Sequence, residues 1–189
     1  MQREAVQWNY DKYKICKTSN EITGKPIMSV YFQNKEHIVV GIISDTHGLL
    51  LPAAIKSLHG VDLIIHAGDI GNTEIMDVLQ AIAPLVAVRG NMDMKKGLRE
   101  LPETEAIQVG NVLLYILHNI NKLDIAPSKA DFDAVIFGHL HYPSVAKHNG
   151  VLFVNPGSAS QPRRKSSASL AFLHIRGSSI KTQIVDIDD

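Results

Sequence analysis

Short apolar runs alternate with polar turns along most of the chain. The run His37–Ser44 is apolar at nearly every position, which is typical of a strand buried on both faces, and Asp62–Ala67 and Leu85–Val88 repeat this pattern. Between these runs, Pro52–His59 suits a short helix that begins near a proline. Asn72–Ile82 has apolar residues at helical spacing after a capping asparagine. This strand–helix–strand–helix–strand order predicts a parallel sheet covered by helices.

The second half of the chain has the pattern of antiparallel hairpins. Three pairs of predicted strands flank turns rich in Gly, Asn and Ser, namely Glu105–Val109 with Val112–Leu117, Ser144–Lys147 with Val151–Val154, and Ser169–Ile175 with Ile180–Ile187. A further apolar run, Ala134–Phe137, predicts one more strand, and a short helix is expected between Lys122 and Lys129. We therefore expect an α/β protein.

The first 36 residues differ from the rest of the chain, because they are polar, carry the aromatic residues Trp8, Tyr10 and Tyr13, and show no clear period. They suggest an N-terminal appendage, residues 1–36, in front of a single domain, residues 37–189. Within that domain, Gly157–Ser167 is the one loop-like stretch of low hydrophobicity.

Composition narrows the function classes. The 189 residues suit one domain with an ordinary core, and 19 basic and 19 acidic residues give a net charge of +0. This balance does not indicate nucleic-acid or membrane-surface binding. Cys16 is the only cysteine, so an intrachain disulfide and a cysteine-based zinc site are excluded. Without a signal-peptide pattern or a membrane-length apolar run, the expected location is the cytoplasm.

The nine histidines of the chain direct attention to metal binding. Five of the predicted strands are followed at once by residues with metal-binding side chains. These lie in the segments Asp45-Thr46-His47-Gly48, Gly68-Asp69, Gly90-Asn91, His118-Asn119 and Gly138-His139-Leu140-His141. Ligands of α/β sheets bind outside the carboxyl ends of the strands, so these side chains should meet at one edge. Asp45 and His47 are separated by one residue, as are His139 and His141. If the backbone stays extended there, both members of each pair point to the same side.

The candidate ligands comprise oxygen and nitrogen donors without sulfur. This set suits Mn, with Fe, Ni, Zn or Co as alternatives, better than Mg or Ca alone. Seven ligands are too many for one tetrahedral zinc and suit two divalent ions that share a carboxylate. A hydroxide bridging the two ions is then the expected nucleophile, and no Ser or Cys nucleophile is needed.

The ordered motifs resemble the calcineurin-like metallophosphoesterase superfamily. Three phrases, Ile43–Gly48, Arg89–Asp93 and Asn155–Ser158, are similar to its small stand-alone microbial phosphodiesterases and to the retromer scaffold subunit of the same fold. The resemblance covers about residues 38–189. It implies an α/β fold in the form of a four-layer α-β-β-α sandwich with two mixed sheets, acting on a small phosphoester substrate.

The resemblance also implies a role for each candidate ligand. The first metal would be held by Asp45, His47 and His141, the second by Asn91, His118 and His139, and Asp69 would bridge them. Asn91 would also contact the substrate phosphate, so Asp69, Asn91 and His118 are the candidate catalytic residues.

Two departures from the family pattern affect the chemistry. Many relatives with strong monoesterase activity carry a proton-donating histidine where this chain has Met92, and methionine has no proton to donate. This favours phosphodiesters with stabilised leaving groups. Asn119 stands where relatives usually have glycine, so the backbone after His118 is expected to differ. The alternative hypothesis is a metal-binding interaction scaffold, in which the aromatic N-terminal segment covers a partner or forms a homo-oligomer.

Three further residues have two interpretations each. His66 is either a group that supports the metal ligands or an ordinary core histidine. Asp93 is either a residue that orients a ligand or a solvated turn acid. Arg163 lies in the loop after Asn155–Ser158, where a surface position is favoured over a phosphate contact.

Overall fold

The computed structural model describes residues 13–19, 26–32 and 35–187. These residues form twelve strands and two α-helices. The strands are β1 Tyr13–Ser19, β2 Pro26–Phe32, β3 His37–Ile43, β4 Leu63–His66, β5 Leu85–Ala87, β6 Thr104–Val109, β7 Val112–Leu117, β8 Ala134–Ile136, β9 Pro143–His148, β10 Val151–Pro156, β11 Ser169–Arg176 and β12 Ser179–Asp186. The helices are α1 Pro52–Leu58 and α2 Thr73–Ile82.

The predicted strand–helix alternation forms three strands of a five-stranded sheet in the order β12-β11-β3-β4-β5. Strands β3, β4 and β5 are parallel, as predicted, and β11 joins β3 in antiparallel orientation. Helix α2 begins at its predicted cap, where the Asn72 side chain accepts a hydrogen bond from the Glu74 amide.

The predicted hairpins contribute most of a second, seven-stranded sheet in the order β1-β2-β6-β7-β8-β10-β9. It is mixed, because β7, β8 and β10 run parallel while β6–β7 and β9–β10 are antiparallel hairpins. Strands β1 and β2 come from the predicted appendage and form a hairpin, in which β2 pairs in parallel with β6. The division of the chain at residue 36 stays a prediction.

The largest apolar cluster lies between the two sheets and includes Val40 and Ile42 of β3 and Leu114 and Ile116 of β7. A second cluster packs α1 and α2 against the outer face of the five-stranded sheet, through residues such as Leu58. The α/β fold with two mixed sheets is therefore confirmed. Neither α-helix of the described residues, seven and ten residues long, meets the length and apolarity of a membrane span.

The helix predicted between Lys122 and Lys129 is wrong. The described chain has two short 3-10 turns there, Ile120–Lys122 and Pro127–Lys129. The proline ring removes a backbone donor and disfavours helical geometry at the preceding Ala126, whose φ is −98° and ψ is 93°. The fourth layer of the expected sandwich therefore stays a prediction, since this part of the described chain contributes turns.

Candidate metal centre

The loops that follow the parallel strands of the five-stranded sheet are hydrogen-bonded to each other. The amide of Asp45 donates to the Gly68 carbonyl at 3.0 Å, and the amide of His47 donates to the Asp69 carbonyl at 2.9 Å. The two loops therefore continue side by side beyond the ends of β3 and β4. This pairing holds their carboxylates and imidazoles at one edge of the sheet.

The backbone at five of the predicted ligands lies in the left-handed region. The φ angles are 53° at Asp45, 46° at His47, 54° at Asp69, 70° at His139 and 61° at His141. The backbone is therefore not extended at these residues. Asp45, His47 and His141 still come together, whereas His139 does not join them. Non-glycine residues with such angles are uncommon and collect at functional sites, where the surrounding structure holds them in place.

Two glycines allow the loops to approach closely. A Cβ atom on Gly90 would lie 2.0 Å from Asp69 Oδ1, and one on Gly138 would lie 1.9 Å from Ser44 Oγ. No side chain fits at either position without moving the loop that carries a carboxylate. Ser44 in turn donates a hydrogen bond of 2.7 Å to Asp45 Oδ2.

The first group of candidate ligands comprises Asp45, His47 and His141, with ligand atoms within 4.8 Å of one another. The Nε2 atoms of the two histidines are 3.2 Å apart, and His141 Nε2 is 3.1 Å from Asp45 Oδ1. His141 Nδ1 lies 2.7 Å from the Gln161 carbonyl oxygen, which can only accept. Nδ1 therefore carries the proton, and Nε2 of the neutral ring presents its lone pair to the group.

The second group comprises Asp45, Asp69 and His118, again within 4.8 Å. His118 Nδ1 lies 2.8 Å from the Ala67 carbonyl oxygen, so Nε2 of the neutral ring is again the free lone pair. This Nε2 is 3.3 Å from Asp69 Oδ2 and 3.2 Å from Asn91 Oδ1. The structure therefore brings the Asn91 side chain to the second group.

His139 is the predicted ligand that the structure places in neither group. Its backbone amide donates to Asp45 Oδ2 at 3.0 Å, and its ring lies edge-on to that of His118 with centroids 5.1 Å apart. Asp45 contributes to both groups, whereas the sequence hypothesis gave the bridging position to Asp69. Asp69 Oδ2 also lies between them, 3.3 Å from His118 Nε2 and 4.0 Å from His47 Nε2.

The charges of these groups are coupled. Burial alone would raise the pKa of the Asp45 carboxyl, but contact with His141 and the charge of His118 outweigh it and lower that pKa. The pKa of Asp69 is lowered in the same way, against burial, by His118. Burial lowers the pKa of His118, but Asp69 outweighs it, so the pKa is raised. Both carboxylates are therefore held in the anionic form that binds cations.

One oxygen provides a direct test of whether a cation fits. Asp45 Oδ1 is buried, and no donor among the described residues forms a hydrogen bond to it. The nearby His141 can donate to it only when its ring is protonated, because Nδ1 holds the proton of the neutral form. An unpaired buried carboxylate oxygen is costly unless a cation lies against it. The donor set and this oxygen both fit bound divalent metal.

Side chains at the end of β10 and in the loop after it hold the candidate metal loops in place through hydrogen bonds. The Ser158 hydroxyl donates to the Asp45 carbonyl at 2.7 Å, and the Ser160 hydroxyl lies 2.9 Å from the Thr46 carbonyl oxygen. The Asn155 amide donates to the Gly138 carbonyl at 2.8 Å. The sequence pattern indicates only a loop after Asn155–Ser158, because hydrogen bonds from side chains to distant main-chain carbonyls leave no signal in hydropathy.

His66 and Asp93 are buried and form hydrogen bonds to the loops that carry the candidate ligands. His66 is fully buried, accepts from the Gly68 amide through Nδ1, and lies 2.9 Å from the Thr46 hydroxyl through Nε2. Burial lowers its pKa to about 4, so the ring is neutral near pH 7. Asp93 is also buried and accepts from the amides of Gly71 and Gly90, so it is not a solvated turn acid.

A cavity of about 650 Å³ opens beside the second group. Asn91, His118 and His139 form part of its wall, and Lys122 and Asp124 lie on its lining as well. Arg163, the possible phosphate contact, is absent from this lining. Its backbone amide donates to the His141 carbonyl at 2.8 Å, while its side chain is exposed.

The chain is similar in sequence to known phosphoesterases. A family model described as calcineurin-like phosphoesterase superfamily domain matches residues 38–178. A probable metallophosphoesterase of Methanocaldococcus jannaschii is 34% identical over 139 residues, which cover 67% of this chain and 70% of the relative. A phosphodiesterase of the same organism is 27% identical over 136 residues, 62% of this chain and 82% of the relative.

Solved structures share the fold. A predicted phosphoesterase from Streptococcus pneumoniae superposes with a TM-score of 0.66 at 27% identity, covering 82% of this chain and 92% of that one. Vacuolar Protein Sorting 29 from Cryptosporidium parvum gives a TM-score of 0.70 at 20% identity, over 82% of this chain and 94% of that one. The second likeness is one of fold alone.

Proposed function

The chain belongs to the calcineurin-like phosphoesterase superfamily, and from this premise we propose that it is a phosphodiesterase that works with two divalent metal ions. The observation that carries the proposal is the pair of ligand groups that share Asp45, with the buried Asp45 Oδ1 lacking a hydrogen-bond donor. Asp45, His47 and His141 would hold one ion. Asp69, Asn91, His118 and His139 would complete the site of the other.

Oxygen and imidazole ligands without sulfur favour Mn, with Fe, Ni, Zn or Co able to take the same positions. When bound, two such ions activate a water nucleophile and neutralise charge that develops on the phosphate. The relative that is a phosphodiesterase by name supports the same class of reaction.

The residues of the chain prepare the site for this chemistry. The Ala67 and Gln161 carbonyls keep the Nδ1 protons of His118 and His141 in place, so their Nε2 atoms stay available. The Met92 amide donates to Asp69 Oδ1 at 2.8 Å, which turns Oδ2 towards His118. The side chain of the same residue is an exposed thioether, which has no proton to give a leaving group.

This lack of a donor favours diesters over monoesters. A leaving alkoxide needs a proton unless its own charge is stabilised, so aryl and other low-pKa alcohols should depart most readily. The cavity beside Asn91 and His118 has room for the alcohol half of such a diester. Its Lys122 and Asp124 carry opposite charges, which favours a polar, neutral leaving group over an anionic one.

The test uses the full chain, stripped of metal with a chelator that is then removed. Addition of Mn should restore hydrolysis of a bis-aryl phosphodiester, with a much lower rate on the matching monoester. Asp69→Asn should abolish the Mn-dependent rate. Asp77→Asn makes the same change at an exposed position of α2 and should leave it intact. Diesterase activity that is independent of Mn, or that survives Asp69→Asn, would overturn the proposal.

The scaffold alternative rests on the N-terminal segment, and the structure changes its test. Deletion of residues 1–36 would remove β2 and expose the edge of β6 that pairs with it. A loss of partners after that deletion would then reflect damage to the sheet as much as a lost surface. Comparison of size and partners before and after metal loading, with the chain intact, separates a scaffold from an enzyme more cleanly.

A further inference from the structure

A second pair of histidines lies at the other end of the five-stranded sheet. His37 Nε2 and His174 Nδ1 are 3.2 Å apart, and the rings stack with centroids separated by 5.4 Å. His37 begins β3, whereas the metal loop follows its other end. Seven residues of strand separate the two ends by about 20 Å. The pair is therefore independent of the candidate metal centre.

The two histidine pairs have the same nitrogen separation but opposite surroundings. The His47–His141 pair, also at 3.2 Å, lies beside the carboxylate of Asp45. The His37–His174 pair instead lines a cavity of about 240 Å³ whose other lining residues are Arg176, Ser179 and Lys181. Among the described residues no carboxylate lines this cavity, so it is suited to an anion, not a metal ion.

The strand register explains why these cations meet. Arg176 of β11 lies opposite His37 of β3 and Ser179 of β12. His174 lies two residues before Arg176 on β11, and Lys181 of β12 lies opposite it. Because side chains two apart share a face of the sheet, all five project from one face. We call the four basic side chains, His37, His174, Arg176 and Lys181, the sheet-end cluster.

The acids nearest to the sheet-end cluster do not neutralise it. Asp62 accepts from the Val39 amide and pairs with Lys35, and Glu36 lines the adjoining cavity together with Lys35. Among the described residues, no carboxylate forms an ion pair with Arg176 or Lys181, and both side chains are exposed. The pKa of His37 is lowered, first by burial and then by the charges of Arg176, His174 and Lys35, which together outweigh the opposing charge of Asp62.

Like charges that face each other across strands destabilise a sheet, and a bound anion would offset that repulsion. The donors also match one kind of anion. A planar guanidinium binds two oxygens of a phosphate at once, while the ammonium, the imidazoles and the Ser179 hydroxyl can reach the remaining oxygens. We propose that the sheet-end cluster is a binding site for the phosphate group of a small molecule, separate from the metal centre.

The experiment uses the full chain after its metal and the chelator have been removed, so that phosphate cannot bind at the metals. Inorganic phosphate and pyrophosphate are titrated by calorimetry, and the histidine ring signals are followed by NMR. Saturable binding should shift the signals of His37 and His174 and leave those of His118 and His141 in place. Pyrophosphate should bind more tightly, because it carries more charge.

The double variant Arg176→Gln/Lys181→Gln should bind pyrophosphate about tenfold more weakly or worse, since it loses two charge-assisted contacts. The variant Lys129→Gln/Lys147→Gln removes two exposed positive charges elsewhere and should bind as the wild type does. Thermal unfolding establishes that each variant is folded. The proposal is overturned by an absence of saturable binding, by equal weakening in both double variants, or by signal shifts confined to His118 and His141.

Discussion

The Nδ1 atom of His118 donates its proton to the backbone carbonyl of Ala67 across 2.8 Å. This bond sets the ring so that Nε2 faces Asp69 and Asn91. Asn119, which stands where relatives usually have glycine, has a φ of −110° that any residue can adopt. Its side chain accepts from the Asn121 amide and caps a 3-10 turn. Asn119 therefore takes part in the turn, while His118 lies beside Asp69 and Asn91.

Replacement of this histidine is the sharpest test of the second metal position. His118→Ala removes the Nε2 lone pair beside Asp69, so the protein should retain fewer than two ions per chain. The diesterase kcat/KM should fall by more than about 100-fold, which exceeds the usual effect of losing a group that merely orients a ligand. Metal content and rate are measured on the same preparation.

His148→Ala is the matched control, because His148 is exposed on β9. It should keep both metal content and rate. A fully active His118→Ala protein with two ions bound would show that this ring is not a ligand.

The strand ends were predictable because they depend on local signals. Buried strands give continuous apolar runs, and each run ends where a Gly, Asp, Asn or His begins the next loop. Asp45 and Asp69 could therefore be placed at a common edge from the order of strands alone. The hairpin around Asn149–Gly150 was equally predictable, since the turn residues determine its geometry.

Other parts of the site depend on contacts between distant segments, which hydropathy cannot reveal. The left-handed angles at His139 and His141 arise from the loops that hold them, and no local pattern in the sequence indicates them. The carbonyl partner of His141 is Gln161, twenty residues further along. The burial of Asp93 required the positions of Gly71 and Gly90 to be known.

Close contact at Gly138 gives a prediction that separates packing from backbone freedom. A methyl group there would lie 1.9 Å from Ser44 Oγ and 2.8 Å from Asp45 Oδ2. Gly138→Ala should therefore displace Asp45 and lower metal affinity and diesterase rate by at least tenfold, in the range of roughly 10- to 100-fold seen when the support of a ligand is lost. Calorimetric metal titration and steady-state rates measure this.

Gly60→Ala provides the contrast, because Gly60 has a φ of 85° and open space around its Cβ position. That variant should lose about 1 kcal/mol of unfolding free energy from backbone strain and keep its activity. In Gly138→Ala, the additional change Ser44→Gly removes the closest atom and should recover part of the rate. Equal effects of the two alanine variants on activity would contradict this account of Gly138.

The buried His66 predicts a pH dependence of stability in metal-free protein. The pKa of this ring falls from 6.5 to about 4 on folding, because burial disfavours the charged form. Between pH 4 and pH 6.5, His66 is protonated in the unfolded chain and neutral in the folded chain. His66 therefore contributes stability above pH 6.5 that is lost as the pH falls towards 4. At about 1.4 kcal/mol per pKa unit, this loss amounts to roughly 3 kcal/mol.

Denaturant unfolding of wild type and His66→Gln at pH 7 and pH 4 measures this loss. The variant should be less stable at pH 7, and the gap between the two proteins should narrow by pH 4. Other titrating groups, including His118 with its raised pKa, are present in both proteins and cancel in the difference. His59→Gln, at an exposed position, should follow the wild type. A constant gap at both pH values would show that His66 takes up its proton without unfolding.

Met92 predicts how the substrate preference can be changed. Its side chain is 60% exposed, while its backbone amide donates to Asp69 Oδ1. Met92→His keeps that amide and supplies a ring that can protonate a leaving group. Hydrolysis of monoesters with poor leaving groups should rise, by about tenfold or more, since a positioned general acid contributes roughly 10²–10⁴-fold. Rates on bis-aryl diesters should change little, because aryl leaving groups need no proton.

Met94→His is the control, since Met94 is 69% exposed and lies on the lining of the cavity beside Asn91 and His118. An imidazole two residues away adds the same chemical group without following Asn91 directly. A gain on monoesters that is specific to Met92→His would show that the position after Asn91, and not the presence of a nearby histidine, decides between diester and monoester chemistry. A similar gain in both variants would mean that any nearby imidazole suffices, so the position after Asn91 is not decisive. No gain in either would mean that the missing proton donor does not limit this enzyme.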